Sequence, residues 1–246
     1  MWRVIGPEAR PGAENMAVDE AIAAGIAAGT SPPTIRFYRW KPCAVTTGYF
    51  QRLEDEVDQD ACEAKGIDIV RRRTGGGAVY HDEHGEITYS IIAPERFFPK
   101  DIRASYREIC GGIIAGLGLL GIAAEFRPIN DVTVGGRKIS GSAQTRRQGV
   151  LTQHGTVLYR IDREMMFSVL RPSVKKLADK PVNSFREGVT SASEEGCPSI
   201  DQLYVALLAG FTAGKEWGPG HLSNAEQVTV AGLVEKYRSP AWNESR

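Results

Sequence analysis

The chain has 246 residues, of which 42% are hydrophobic and 24% are charged, as in ordinary globular proteins. Its 30 basic side chains balance its 30 acidic ones. This balance excludes binding to nucleic acid or to a membrane surface that is driven by overall charge. Cys43, Cys62, Cys110 and Cys197 form no CxxC pair and predict reduced thiols. With no signal-peptide pattern and no apolar run of membrane-spanning length, we expect a cytoplasmic protein.

In chain order, the hydrophobic pattern predicts helices mixed with short adjacent strands. Helices are predicted over 14–28, 55–65 and 103–119, and strands over 34–40, 44–48, 67–72, 87–92, 123–128, 132–134, 137–143 and 150–160. The last part is predicted to be helical, and Ser199 with Gln202 and Ser223 with Glu226 have the spacing of capping boxes. Because no regular βαβ alternation or repeat occurs, we predict one α+β domain over residues 1–246.

A glycine-rich turn follows the strand predicted over 67–72, in the sequence RRRTGGGAVYHD at 71–82. Three glycines let backbone amides approach a ligand closely, and neighbouring arginines can bind phosphate or carboxylate oxygens. The turn therefore indicates an anion-binding loop, although a plain glycine turn beside solvated arginines would look the same. It is neither a Walker loop nor a dinucleotide fingerprint.

The second unusual segment is NDVTVGGRKISGSAQ at 130–144. Its Gly-Gly pair predicts a tight hairpin turn, and Lys138 follows among small residues that leave room for a ligand. The alternatives are a solvated surface lysine, Asp131 as an ordinary turn residue and His154 as a structural histidine. His81 and His84 also leave a metal site open, although the nearby residues do not form a closed zinc set.

Together, RRRTGGGAVYHD, GEITYS, NDVTVGGRKISGSAQ and HGT resemble the lipoate–protein ligases of the biotin/lipoate ligase superfamily, and further matches extend from 15–20 to Trp242-Asn243. The resemblance implies a mixed-sheet α+β fold related to biotin ligases and class II synthetases. It also implies an ATP-dependent ligase, in which lipoate attacks ATP to give lipoyl-AMP. A lysine of a carrier domain then attacks this adenylate and expels AMP.

The resemblance assigns Lys138 the catalytic role, in contact with the acyl carbonyl and the α-phosphate. It implies ATP and Mg²⁺ as cofactors, with Asp131 beside the metal or the incoming lysine. The substrate- and ATP-binding residues that it implies are Arg72, Thr74, Gly75, Gly76, Gly77, Ala78, Tyr80, His81, Asp131, Ser140, Gly141, Ala143, His154, Gly155 and Thr156.

The resemblance also implies partners. Lipoyl-accepting carrier domains, of the dehydrogenase E2 or glycine-cleavage H protein type, are the expected acceptors. Many lipoate ligases continue into a small C-terminal accessory domain, whereas this chain stops at Arg246. We therefore expect a separate accessory subunit, and no nucleic-acid or membrane partner.

Two alternatives remain open. The superfamily includes ATP-independent octanoyl- or lipoyl-carrier transferases that use a cysteine as acyl carrier. Those with a similar GRKxxGSAQTR segment place this cysteine a few residues upstream, where the present chain reads AAEFRPIND at 123–131. We expect Cys110 and Cys43 to be small buried hydrophobes instead. The second alternative is a non-enzymatic binding module.

Overall fold

The structure is a computed structural model that describes residues 1–171 and 188–245. The strands within these ranges are β1 (Trp2–Arg10), β2 (Thr34–Trp40), β3 (Ala44–Thr47), β4 (Asp68–Arg71), β5 (Val79–His81), β6 (Glu86–Pro94), β7 (Ala124–Arg127), β8 (Asp131–Val134), β9 (Arg137–Arg147), β10 (Val150–Leu158) and β11 (Trp217–Pro219). The helices are α1 (Gly12–Ala27), α2 (Leu53–Glu56), α3 (Gln59–Ala64), α4 (Ile102–Leu119), α5 (Arg163–Val169), α6 (Ile200–Thr212), α7 (Asn224–Arg238) and α8 (Pro240–Asn243), with a 3-10 turn at Glu95–Phe97.

The larger sheet has the strand order β11-β1-β2-β6-β10-β9-β8-β7, and a smaller sheet has the order β4-β3-β5. Strand β1 runs parallel to β2 and β11, whereas β6, β10, β9, β8 and β7 pair antiparallel in succession. The parallel pair β1–β2 needs a crossover, which α1 supplies. The α+β architecture with a mixed sheet confirms the predicted fold class.

Helices cover both faces of the larger sheet. Ile35 and Phe37 on one face of β2 belong to a core cluster that includes residues of α4 and α6. Tyr38 and Trp40 on the other face pack in a second cluster with residues of α1 and α7. Because both faces are buried, β2 carries apolar or aromatic side chains on both of its faces, unlike a strand with one exposed face. A third cluster lies between the small sheet and α2, α3 and α5.

Glu226 on α7 forms an ion pair with Arg3 on strand β1. Its carboxylate accepts two hydrogen bonds from the Arg3 guanidinium, at 2.7 and 2.6 Å, and one from Ser31 Oγ at 2.7 Å. It also completes the predicted capping box with Ser223. Burial alone would raise the pKa of Glu226, but Arg3 and the other donors lower it to about 2. The carboxylate is therefore charged in the folded protein at neutral pH.

The structure differs from the predicted elements in two informative places. The helix predicted over 55–65 is divided at Val57, which is fully buried, extended, and bridged to Leu170. Asp58 then caps α3 by accepting a hydrogen bond from the Ala61 amide. Strand β1 was not predicted, because Gly6-Pro7 interrupts its pattern at the register shift between Ile5 and Glu8.

The helices in residues 1–171 and 188–245 include none with the combined length and apolarity that crossing a bilayer requires.

Candidate active site

A cavity of about 400 Å³ opens between the two sheets and α5. Its wall is mainly apolar, with Trp40, Leu158, Met166, Phe167 and Leu170 among its residues. The predicted site residues that line it are Arg72, Gly76, Gly77, Ala78, Tyr80, His81, Lys138, Ser140, Gly141, Ala143, His154, Gly155 and Thr156. The fold therefore brings both sequence motifs to one cavity, although residues 83–129 separate them in the chain.

Thr74, Gly75 and Asp131 were also predicted as site residues, and they lie beside this cavity instead of on its wall. Thr74 lines a small adjoining pocket and contacts His154. The carbonyl oxygen of Gly75 accepts a hydrogen bond from Arg72, and Asp131 pairs with Lys138. Each of the three thus supports a residue that does line the cavity.

Arg72 holds the glycine loop from within. Its guanidinium donates to the carbonyl oxygens of Gly75 at 2.8 Å and Gly77 at 2.7 Å, and to the carbonyl oxygen and hydroxyl of Thr46. Its Nε donates to Thr74 Oγ1. The side chain is 4% exposed, and burial lowers the pKa of Arg72 to about 10. These bonds occupy the donors that the sequence suggested for a ligand's oxygens.

Lys138 lies on β9 just after the predicted hairpin, whose Gly135 and Gly136 have φ values of 54° and 77°. Its Nζ is 2.7 Å from Asp131 Oδ1 on the neighbouring strand β8, and its side chain is 38% exposed. The main chain of Lys138 is held by hydrogen bonds with Gly188 and Thr190. A fixed ammonium group therefore stands at the mouth of an apolar cavity.

Small residues around Lys138 make room for this ammonium group. A Cβ atom at Gly141 would lie 2.5 Å from Lys138 Nζ, so any larger residue there would displace the lysine. Ser140 is 1% exposed, and its hydroxyl finds no hydrogen-bond partner among the described residues. Because a buried hydroxyl normally has a partner, Ser140 Oγ is a donor that remains available to a ligand in the cavity.

A buried chain of polar groups links α1 to the glycine loop. His154 Nε2 is 2.7 Å from Thr74 Oγ1, and His154 Nδ1 is 3.7 Å from Asp19 Oδ2. Asp19 also pairs with Arg36 at 2.8 Å. Burial lowers the pKa of His154 more than Asp19 raises it, so the imidazole is neutral at pH 7. Burial would raise the pKa of Asp19, but the Arg36 charge and hydrogen bonds outweigh it. Asp19 was not among the predicted site residues.

His81 is held by a second buried network. Its Nδ1 is 2.7 Å from Glu86 Oε1, its Nε2 is 3.0 Å from Thr46 Oγ1, and its ring stacks on Trp40. His84, by contrast, is exposed and pairs with Glu83. The two histidines therefore do not share a site.

The acidic residue predicted to contact magnesium has other partners. Asp131 is neutralised by Lys138 and by Arg127 Nη2 at 3.0 Å. In residues 1–171 and 188–245, no three histidine, cysteine or acidic side chains gather as a metal-binding set. A carboxylate between two cations is a weak ligand for a divalent ion, because the cations repel it. The donor set around Asp131 thus does not fit the predicted metal site.

Sequence reasoning missed the apolar end of the cavity. Met166, Phe167 and Leu170 come from α5 and the residue after it, and Ile161 precedes that helix. The run of apolar residues after Asp162, which caps α5, was the available signal. It is short, and nothing in a local pattern shows which wall of a cavity such a run will form.

The chain is similar to a known protein family and to several curated and solved proteins. Residues 11–212 match the family described as the lipoyl protein ligase A/B catalytic domain. The octanoyltransferase LipM of Symbiobacterium thermophilum is 39% identical, covering 98% of this chain and 97% of its own length. The octanoyltransferase LipM of Clostridioides difficile is 37% identical, covering 100% and 99%. Among solved structures, the bi-partite lipoate protein ligase of an archaeal lipoylation system from Thermoplasma acidophilum has a TM-score of 0.88 at 32% identity, covering 99% of this chain and 96% of that one.

These relatives correct the predicted reaction. The prediction of an ATP-dependent, adenylate-forming ligase is wrong, and so are its cofactors ATP and Mg²⁺, because the curated relatives that match nearly the whole chain are octanoyltransferases. The physical reason lies in the motif itself. A lysine ammonium stabilises negative charge on an acyl oxygen whatever the leaving group is. The residue types therefore indicate acyl transfer without distinguishing adenylate from thioester chemistry.

The predicted family and fold are confirmed by the family match over residues 11–212 and by the superposition with the archaeal ligase. With Lys138, the glycine loop and the apolar cavity assembled as described, the chain belongs to the lipoyl protein ligase A/B catalytic domain family.

Proposed function

We propose that this protein is an ATP-independent octanoyltransferase. It moves an octanoyl group from the thioester of an acylated carrier protein to a lysine of a lipoyl-accepting carrier domain. The observation that carries the proposal is the Lys138 ammonium group at the mouth of an apolar cavity. The octanoyltransferases that are 34–39% identical over nearly the full chain support the same reaction.

The cavity suits an extended acyl chain. At about 400 Å³ it falls within the range of small-molecule sites, and apolar side chains dominate its wall. Removing an alkyl chain from water contributes about 0.8 kcal/mol per CH₂ group. The apolar wall would therefore retain the acyl chain and leave its carbonyl group at the polar mouth. In this arrangement Tyr80 and His81 border the acyl chain.

Lys138 would act on the carbonyl group. When an amine attacks a thioester, negative charge develops on the carbonyl oxygen, and a fixed cation beside it lowers the barrier. Asp131 holds the ammonium group at 2.7 Å, while Gly141 leaves its tip unobstructed. The hydroxyl of Ser140, for which the described residues offer no hydrogen-bond partner, is a second donor for the same oxygen. The glycine loop, held by Arg72, would complete the wall around the thioester.

The acceptor is proposed by its chemistry, a lysine on a lipoyl-accepting carrier domain. A similar archaeal ligase was studied together with its E2 lipoyl domain, which makes an E2 domain the first acceptor to test. A glycine-cleavage H protein is the second. The expected accessory subunit was tied to ATP activation, so it forms no part of the proposed reaction.

The test follows transfer by the mass of the acceptor. Purified protein is mixed with an octanoylated acyl carrier protein and an E2 lipoyl domain or H protein, with and without ATP and Mg²⁺. We expect the octanoyl mass on the acceptor in both conditions. Lys138→Ala should abolish transfer while leaving the far-ultraviolet circular dichroism unchanged. Lys65→Ala removes an exposed lysine after α3 and is the matched control. A strict requirement for ATP, or full activity of Lys138→Ala, would contradict the proposal.

A further inference from the structure

We propose that the short helix α8 is a positioning element of the active site, in which Trp242 and Asn243 act through Arg71 to fix the glycine loop against the cavity. The inference rests on the octanoyltransferase function proposed above. The Trp242-Asn243 pair belongs to the sequence match with the family, although its side chains lie away from the cavity wall. The contacts between α8 and the strand that leads into the glycine loop show how a distant helix reaches the site.

Arg71 is the last residue of β4, and it directly precedes the segment that forms the glycine loop. It is fully buried. Its guanidinium donates to the main-chain oxygen of Asn243 through Nη2 at 2.7 Å and through Nε at 3.1 Å, and to that of Trp242 at 3.2 Å. A buried charge is costly unless hydrogen bonds satisfy it. The carbonyl oxygens of α8 therefore help to keep the Arg71 side chain inside the protein.

Helix α8 also binds the main chain of β4. The side-chain oxygen of Asn243 accepts a hydrogen bond from the Arg71 amide at 2.8 Å, and the indole N–H of Trp242 donates to the Arg71 carbonyl oxygen at 2.8 Å. The Asn243 side-chain amide donates to the carbonyl oxygen of Tyr237 on α7 at 2.9 Å, and the indole ring packs edge to face against the Tyr237 ring. The donor and the acceptor of the Arg71 main chain are thus both held by α8, which is itself anchored on α7.

The other side of the Arg71 guanidinium binds the loop that follows β3. Its Nη1 donates to the carbonyl oxygens of Gly48 at 2.9 Å and Gln51 at 2.7 Å. The Tyr49 amide in this loop donates to the Thr74 carbonyl oxygen at 2.8 Å, at the start of the glycine loop. Arg71 therefore connects α8 with the loop after β3, and that loop contacts the glycine loop directly.

These two loops lie in such close contact that one cannot move without the other. A Cβ atom at Gly48 would overlap the carbonyl oxygen of Gly76 and would lie 3.2 Å from the carbonyl carbon of Gly75. Gly76 is on the wall of the cavity. Because closely packed groups transmit a displacement, the position of Gly48 sets the position of the glycine loop. Trp242 and Asn243 are therefore positioning residues, which act on the thioester site without touching the substrate.

Two substitutions in α8 separate positioning from support of the fold. Asn243→Ala removes the acceptor of the Arg71 amide, and Trp242→Phe removes the indole donor while keeping an aromatic ring beside Tyr237. We expect kcat for octanoyl transfer to fall on the order of tenfold in each variant, because a small displacement of the groups around the thioester slows the reaction. The KM for the octanoyl donor should change less, since the apolar wall of the cavity is untouched.

The matched controls change the same residue types far from Arg71. Asn224→Ala alters an exposed position of α7, and Trp217→Phe alters a residue of β11 that is 40% exposed. Both should keep the wild-type kcat. Activity is measured at a temperature at which circular dichroism shows every variant to be folded, so that a loss of stability alone leaves kcat unchanged.

Hydrogen exchange tests the position of the loops without any substrate. It is followed at the amides of Tyr49 and Arg72, which donate to the carbonyl oxygens of Thr74 and Thr47, and neither substitution removes these acceptors. We expect faster exchange at both amides in the two α8 variants, because weaker contacts with α8 let this region open locally. Exchange in β6 and β10 should match the wild type.

Wild-type kcat in both α8 variants, or wild-type exchange at the two amides, would overturn the inference while leaving octanoyl transfer intact. If Asn243→Ala does not fold, Trp242→Phe decides the question, because it retains the ring packing. A wild-type enzyme that moves no octanoyl group to any acceptor would instead refute the octanoyltransferase function. The exchange measurement would in that case still show whether α8 fixes the glycine loop.

Discussion

Replacing Gly141 with alanine changes the position of Lys138 while leaving its charge in place. A Cβ atom at Gly141 would lie 2.5 Å from Lys138 Nζ and 2.6 Å from Cε. Carbon contacts are ordinarily about 3.5 Å or longer, so the tip of the lysine must retreat by about 1 Å. The backbone at Gly141 lies outside the left-handed region, so alanine fits its conformation. The far end of a flexible side chain can move, and we therefore expect the fold to be kept.

The effect on activity should be large compared with the effect on stability. A displacement of about 1 Å at a catalytic group can reduce the rate on the order of a hundredfold. Such a reduction corresponds to about 3 kcal/mol of lost transition-state stabilisation. We expect this loss in kcat, with a smaller change in KM for the octanoyl donor, because the apolar wall of the cavity is untouched.

The assay measures steady-state octanoyl transfer to the lipoyl domain together with thermal unfolding by circular dichroism. Gly118→Ala is the matched control, since a Cβ atom at that exposed position of α4 meets nothing within 4 Å. Wild-type kcat in Gly141→Ala would refute the reasoning that Lys138 must stand where the structure places it. A large fall in Tm would show instead that the substitution acts through folding.

Three further predictions concern buried and half-buried charges. Because the pKa of Glu226 is lowered to about 2 from 4.5, its charged form contributes about 3 kcal/mol of stability above about pH 4.5, which is lost as pH falls towards 2. Glu226→Gln should therefore lower the free energy of unfolding at pH 7, measured by urea denaturation, and should flatten its decline as the pH falls below 4.5. An unchanged decline would contradict this. Asp19→Asn leaves Arg36, which is 1% exposed, without its counter-charge and should cost on the order of 3–5 kcal/mol in chemical denaturation; a cost below about 1 kcal/mol would show that other groups balance the arginine. Asp131→Asn removes the half-exposed ion pair with Lys138 and should change the free energy of unfolding by less than about 1 kcal/mol. We expect kcat to fall, because Asp131 no longer holds the Lys138 ammonium group in position. Equal kcat in the variant and the wild type would exclude this positioning role.

Local patterns in the sequence predicted much of the fold. The strand at 34–40 matches β2, and the helix at 103–119 matches α4 to within one residue, because burial of one face or of both leaves a continuous or periodic apolar pattern. The hairpin before Lys138 was readable from its Gly-Gly pair, since both positions need left-handed backbone. The pattern failed at β1 and Val57, where tertiary pairing outweighs local preference.

Some features of the candidate site could likewise be predicted from the sequence, and others could not. The glycine loop and Lys138 stand out in the sequence, because unusual residue types cluster there within a few positions. Their joint presence indicated acyl chemistry and the family, yet the leaving group could not be read, and the ATP-dependent reaction predicted from them was wrong. A cation that stabilises an acyl oxyanion is the same residue in either reaction.

The sequence by itself therefore determined the family, the α+β class and the lysine proposed to act on the acyl carbonyl, since short-range spacing encodes them. Only the tertiary structure decided that Arg72 turns inward to hold its own loop, and that Asp19 and His154 meet across α1 and β10. It also decided that Cys110 lies behind Ser142 and outside the cavity. The direction of a side chain and its distance from a partner far along the chain depend on how whole elements pack, and local spacing carries no record of that packing.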